Sequence, residues 1–296
     1  MNEEELAKYR KAGKIASEAR NLGMNLIKEG KTYLEVAEEI ENYILEKGAK
    51  PAFPVNLATD HQAAHYSPAI NDKKKIVSGN LVKVDVGVHV DGYIADTAIT
   101  VEAGGSESYR MLVDAANIAL ENAVGLCNHA MPVRKIGGKV EETIRALGFV
   151  PVSNLTGHEI KRYLLHGGKS VPNILDNNTD VIVADDVLAI EPFASTGSGY
   201  VDSDGKSNIL RIVRERKLEP ELQEFYSMLK QNFATLPFSP RWCLKLDAHA
   251  QEKLSKLIKY GVLYEYAILS DTRQGIVSQA EHTVIIGKTG CEVITK

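Results

Sequence analysis

The 296-residue chain lacks the features that would place it in several protein classes. It has only three cysteines, Cys127, Cys243 and Cys291, with no CxxC spacing. An odd count without paired spacing excludes a disulfide framework and an all-thiolate zinc site, and fits free thiols in a reducing compartment. No apolar run approaches the roughly 20 residues of a bilayer span. The N-terminal MNEEELAKYRKAGK is charged and has no apolar h-region, so no signal peptide is expected and the expected location is cytoplasmic. Neither sign of charge dominates: 35 Lys and Arg against 39 Asp and Glu leave a net charge of −4, which argues against strong non-specific nucleic-acid binding. Low-complexity segments are absent. With 44% hydrophobic residues there is enough apolar material for a substantial core, in one large domain or two modest ones.

Five residues stand out: Asp85, Asp96, His158, Glu191 and Glu281, each in or beside an apolar, strand-like run. Burying four carboxylates and a histidine is costly unless a cation neutralises them, and a pair of divalent metals would do so. The competing reading is that they are ordinary exposed strand residues.

The chain repeats itself. Thr32 and Glu35 form a T-x-x-E capping box, after which Tyr33, Ala37, Ile40 and Ile44 recur at helical spacing, and Gly48 closes the helix before Pro51. One hundred positions later Ile136, Val140, Ile144 and Leu147 form a second stripe, closed by Gly148 before Pro151, and Glu41 corresponds to Glu141. A longer helix precedes each copy, at about 3–28 and 106–128. The strand Asn80–Asp85 aligns with Asp186–Glu191 at an offset of 106, which makes Asp85 and Glu191 equivalent. Asp96 follows Asp85 by 11 positions and Glu281 follows Glu191 by 90. If Glu281 is the counterpart of Asp96, the surplus of 79 marks an insertion in the second hairpin, at 198–270, with helix-like patterns near 218–232 and 247–260.

Asp91-Gly92 is a two-residue hairpin signal between alternating apolar runs. It predicts that Val90 faces Tyr93, Gly87 faces Asp96, and Asp85 faces Ala98. Asp85 and Asp96 then share a face as diagonal neighbours, about 7–8 Å apart, close enough for their carboxylates to share a metal pair about 3.5–4 Å across. The other face carries Val82, Val84, Val86, Val88 and Val90, to be covered by helices.

At these residues the chain resembles the methionine aminopeptidases, in particular the short archaeal-like form of the type II branch. The matching segments are PAFPVNL (51–57), AAHYSP (63–68), KVDVGVHVDGYIADTA (83–98), NLTGHEI (154–160), LLHGGKSVPN (164–173), AIEPFASTGSG (189–199), TLPF with RW (235–242) and EHT (281–283). The resemblance implies an α/β pita-bread fold, two pseudo-symmetric halves around a curved antiparallel sheet. Residues 1–197 and 271–296 would form the catalytic body, and 198–270 a helical, winged-helix-like insertion. It implies two divalent ions (Mn, Fe, Co or Zn): Asp85 on one, His158 and Glu191 on the other, Asp96 and Glu281 bridging. Oxygen donors with one imidazole suit such ions. Glu191 is then the proton shuttle, His65 and His166 flank the scissile peptide, and Phe53, Leu165, Phe193 and Tyr266 wall the methionine pocket. The implied substrate is the N-terminal Met of nascent polypeptides ahead of a small second residue. The expected enzyme is a monomer with transient ribosome contact, no membrane and no specific nucleic-acid partner. The family usually has an aromatic residue before the last ligand, whereas here it is Ala280.

Two rivals stand against this reading. A proline-specific aminopeptidase or prolidase of the same fold would carry the same five ligands. A non-catalytic pita-bread binding protein could use the basic cluster Lys206, Arg211, Arg214, Arg216 and Lys217 on RNA, but relatives of that kind have lost metal ligands, all five of which are kept here, and a solvated charged face is the better explanation of the cluster.

Overall fold

A computed structural model describes all 296 residues. The first half runs α1 (Glu3–Leu26), α2 (Tyr33–Glu46), β1 (Lys50–Pro51), β2 (Asn56–Thr59), β3 (Gln62–Ala64), β4 (Leu81–Val90), β5 (Tyr93–Glu102). The second runs α3 (Arg110–Leu126), α4 (Val133–Ala146), β6 (Val150–Pro151), β7 (Thr156–Ile160), β8 (Ser170–Pro172), β9 (Val187–Ile190), β10 (Phe193–Ser195). Then come β11 (Val201–Ile212), α5 (Pro220–Phe233), α6 (Pro240–Cys243), α7 (Ala250–Lys259) and β12 (Leu263–Asp271), followed by β13 (Val277–Gln279), β14 (His282–Ile286) and β15 (Cys291–Val293). No helix is long and apolar enough to cross a membrane.

The sequence repeat is a structural repeat. α2 and α4 begin and end 100 positions apart, as do β1 and β6, and the Thr32–Glu35 capping box opens α2. Strand pairing carries the same offsets: Ala58 pairs with Lys83 in the first half, and His158 with Ala189 in the second. The hairpin register is as its sequence predicts, with Asp85 opposite Ala98 and Gly87 opposite Asp96. Asp91 (φ 51) and Gly92 (φ 83) both take the left-handed conformation that a type I′ turn requires. Val82, Val84, Val86 and Val88 are fully buried in the core that also holds the apolar faces of α1 and α2. Removing each such side chain from water contributes about 1.5–3 kcal/mol. A second core lies against α3 and α4.

In the second half β9 and β10 together match β4, and β13 and β14 together match β5. His282 pairs with Ile190 and Phe193 with Gln279 in one continuous register. That register sets Glu281 opposite Glu191, which makes its counterpart Ala98, not Asp96. The counterpart of Asp96 is Gln279. Matching acidic residue to acidic residue had skipped two positions, and the insertion surplus is 77, since Ala98 follows Asp85 by 13 positions and Glu281 follows Glu191 by 90. The chain leaves the ladder near Gly197 and rejoins it near Gly275; a Cβ on Gly197 would lie 2.7 Å from Gly275 Cα. Asp271 closes this neck, its carboxylate accepting from the Ser195 hydroxyl and the N–H groups of Ser198 and Gly199. Between neck and return, α5, α6 and α7 pack with β11 and β12 around their own core of Leu222, Phe225, Leu229, Phe238 and Leu254.

The halves meet where β5 crosses the segment before β14. Ala98 N donates to Glu281 O and Glu281 N to Ala98 O. Because these residues are equivalent, the bridge lies on the pseudo-two-fold axis. The flanking contacts obey it: Thr100 Oγ1 donates to Gln279 O and accepts from Gln279 N, while Thr283 Oγ1 donates to Asp96 O and accepts from Asp96 N.

Candidate metal centre

All five expected ligands converge on one cavity of about 230 Å³. Asp85 stands on β4 and Asp96 on β5, His158 on β7, and Glu191 and Glu281 at the ends of β9 and β14 nearest the axis. His158 Nε2 lies 3.7 Å from an Asp96 oxygen and 3.6 Å from Glu191 Oε1. Single donor atoms of Asp96, His158 and Glu281 lie within 4.8 Å of one another, close enough to share one ion. Asp85 Oδ1 and Asp96 Oδ1 are buried without a hydrogen-bond partner. Donor atoms so placed fit divalent cations, because a buried polar atom is rarely left unpaired.

Electrostatics agrees. Burial pushes Asp85 up to about 7, opposed by hydrogen bonds from Gln279 and with Asp96. Burial also holds Asp96, Glu191 and Glu281 well above the usual carboxylate range; repulsion from Asp85 adds to it at all three, with Glu191 adding at Asp96 and both Asp96 and Glu191 at Glu281. At Glu281 the guanidinium of Arg20 pulls the other way, one cation against four carboxylates. Burial lowers His158 to about 4, so its imidazole is neutral at pH 7, the form that ligates metals.

The expected accessory residues line the same cavity: His65, His166, Phe53, Leu165, Phe193 and Tyr266. His65 follows β3 at φ 66, a backbone region that non-glycine residues occupy sparsely and that clusters at functional sites. Its ring stands edge-on to Tyr266 at 5.4 Å, and His166 edge-on to His158 at 4.5 Å. Desolvation lowers both His65 and His166 below the usual histidine range, with repulsion from neighbouring cationic groups adding to it at His166. His166 stands at the open mouth, more exposed than His65. Ala280 points away from the centre into the core under α3 and α4.

Gln279 and Asn56 were not singled out from sequence. Gln279 is 2% exposed, and its Nε2 lies 3.5 Å from Glu281 Oε2. Its equivalence to Asp96 could have revealed it, had the register been followed instead of the charges. Asn56 is buried opposite Asp85 on β2 and lines the cavity. A separate cavity of about 360 Å³ lies between α2 and the α5–α6 region and contains none of the five ligands.

Comparison with known proteins gives the same placement. Residues 7–286 match the model of metallopeptidase family M24. A methionine aminopeptidase of Methanocaldococcus jannaschii is 41% identical over the full length of both chains. Among solved structures, a thermophilic Arx1 superposes with a TM-score of 0.84 at 18% identity, covering 99% of this chain and 91% of the other. The methionine aminopeptidase of Rickettsia prowazekii superposes at 0.73 with 19% identity, covering 100% and 98%. At such identities the structures speak for the fold alone, which is the pita-bread fold. The chain belongs to metallopeptidase family M24 and, within it, to the methionine aminopeptidases.

Proposed function

We propose that this metal-dependent hydrolase removes the N-terminal methionine of nascent polypeptides at a dinuclear centre held by Asp85, Asp96, His158, Glu191 and Glu281. The observation that carries this is the convergence on one cavity of two buried carboxylates, Asp96 and Glu281, two partly buried ones, Asp85 and Glu191, and one neutral imidazole, with orphaned carboxylate oxygens on Asp85 and Asp96. In this reading the five side chains would together hold the two ions. Mn, Fe, Co or Zn bound there would supply Lewis acidity and a water of lowered pKa. Glu191, beside His158 at the cavity floor, takes the proton from the attacking water and passes it to the leaving amine. His65 and His166, neutral at pH 7, donate N–H groups to the substrate and to the oxygen that gains charge at the scissile carbon. Phe53, Leu165, Phe193 and Tyr266 enclose a flexible, polarizable methionine side chain. A second residue held between His65 and His166 would have to be small.

The resemblance to the short type II form supports treating 198–270 as a winged-helix-like insertion on a catalytic body of 1–197 and 271–296. The separate core around Phe225 and the neck at Gly197 and Gly275 fit that division. A monomer acting in the cytoplasm, meeting the ribosome only transiently, is the simplest setting for such an enzyme.

The test is release of Met from Met-Ala-Ser, against Xaa-Pro dipeptides, by metal-depleted protein titrated with Mn, Fe, Co and Zn. Activity should appear with about two ions per chain and only on the Met peptide. Preference for Xaa-Pro would establish the prolidase alternative. His65→Ala should collapse kcat with metal content intact, and near-normal turnover would remove His65 from the mechanism.

A further inference from the structure

The catalytic cavity has a second one beside it, and His65, His166 and Tyr266 line both. The outer cavity, about 390 Å³, runs along the β11–β12 ribbon and is lined by Ser203, Arg211 and Tyr264 beyond those shared residues. Arg211 and Tyr264 face each other across the ribbon. The Arg211 guanidinium lies over two rings at once, 5.6 Å from the centroid of Tyr264 and 5.7 Å from that of Tyr266. It has no carboxylate partner and no side-chain hydrogen bond to the protein. Lys206 on the same strand is paired with Glu265, and Arg216 donates to Tyr260 O. The two tyrosines, edge-on to each other, hold Arg211 in place by cation–π attraction while leaving its N–H donors free.

A polypeptide whose first residue occupies the inner cavity must leave it past His65 and His166. Through their shared neighbour Tyr266, the Arg211 guanidinium lies no more than about 11 Å from the His65 ring. An extended chain covers that distance in about three residues, at 3.3–3.6 Å each. We propose that the groove of Arg211, Tyr264 and Tyr266 is the subsite for the third and fourth residues of the polypeptide substrate, and that Arg211 makes it select acidic over basic side chains there. This rests on the methionine-releasing reading of the inner cavity. The guanidinium supplies charge and a planar donor array for a carboxylate, and the exposed Tyr264 ring supplies an apolar wall for its stem.

The test compares holoenzyme kcat/KM on Met-Ala-Glu-Gly and Met-Ala-Gly-Glu, C-terminally amidated, with that on the lysine counterparts. The acidic peptides should be favoured roughly 2- to 5-fold at low salt, the range of an exposed charge pair, and less at 0.5 M salt. The difference should lie in KM. Arg211→Lys should keep the preference, Arg211→Ala should remove it, and Arg211→Glu should invert it. Cleavage of all four peptides with equal kcat/KM, or the same ratio in Arg211→Glu as in the parent, overturns the subsite. A loss of RNA binding in Arg211→Glu with the peptide ratio unmoved would assign the arginine to nucleic acid instead. Failure to release Met from any of the peptides would strike at the inner-cavity reading, a separate outcome.

Discussion

At the scale of single residues, Gly87 ties the hairpin to the proposed substrate pocket. It sits on the Asp85 face of β4, opposite Asp96, and a Cβ there would lie 2.2 Å from Cε1 of Phe53. Its backbone is ordinary strand, so glycine is needed for space and not for a special φ. An added methyl must push the Phe53 ring into the cavity or tilt β4. Gly87→Ala should therefore cost about 1–3 kcal/mol of stability, as overpacking does, and should raise KM for Met peptides by roughly tenfold or more, as one methylene in a pocket can. Phe53→Leu in the same chain should recover much of both. Steady-state kinetics beside urea unfolding decides it, and an unchanged KM would show that the ring does not wall the pocket. Not every important residue of this kind could be read from sequence. Lys83 is fully buried, its ammonium donating to Asp60 O at 2.8 Å and Val277 O at 3.0 Å. In the sequence it looks like any lysine on an alternating strand. Only the fold brings those carbonyls to it, since Val277 lies 194 positions away.

At the scale of elements, α2 and α4 began as copies and were put to different uses. Glu141 on α4 is partly exposed and pairs within its helix with Arg145. Its equivalent Glu41 on α2 is buried: Arg241 makes two hydrogen bonds to it, at 3.0 and 2.8 Å, and Trp242 Nε1 a third, at 2.8 Å. The RW pair of the resemblance thus clamps the insertion to the first half. Glu41→Ala would leave the buried Arg241 with only Pro68 O and the more distant Glu38 carboxylate, 4.0 Å away, and should cost about 3 kcal/mol. Replacing both partners, Glu41→Leu with Arg241→Met, should recover most of that. A double-mutant cycle by denaturant unfolding measures it, and additive losses would show that the two do not act as a pair. Local patterns were legible in the sequence wherever they repeat within one element: the capping box of α2, the glycines closing both helices, the β4–β5 register. The Glu41 clamp was not, because its partner lies 200 positions away in a segment with no counterpart in the first half. The pairing of Glu281 with Asp96 failed for a related reason. Charge was matched where register decides, and the two halves place their ligands two positions apart on equivalent strands.

At the scale of the whole molecule, the proposed centre would draw two ligands from one half and three from the other, so bound metal would fasten the halves across the pseudo-two-fold axis. The ligands' protonation sets how strongly. A carboxylate whose folded pKa lies above its unfolded value stabilises the fold while it keeps its proton. That contribution is complete below the unfolded range near pH 4 and is lost as pH rises through the folded value. Asp85 reaches that point at about 7, and Asp96, Glu191 and Glu281 are all raised. Metal-depleted protein should thus lose this part of its stability between about pH 4 and 7 and beyond, as negative charges accumulate in the cavity. His158 acts in the opposite sense: lowered to about 4, it withdraws stability as pH falls from about 6.5 towards 4, because only the unfolded chain takes up the proton. Divalent ions replace the carboxylate protons. At 100 times its Kd, each bound ion should add about 2.7 kcal/mol, and that gain should grow from pH 5.5 to pH 8 as protons cease to compete. Binding near pH 6 should release protons, measurable by titration calorimetry in buffers of different ionisation enthalpy. Asp96→Asn should reduce both the protons released and the rise in Tm with Mn, because it removes a group that touches His158 from the other half. A rise in Tm that is the same at both pH values, with no proton release, would mean that the carboxylates are already ionised without metal, and that the cost of burying them is met by something other than the ions.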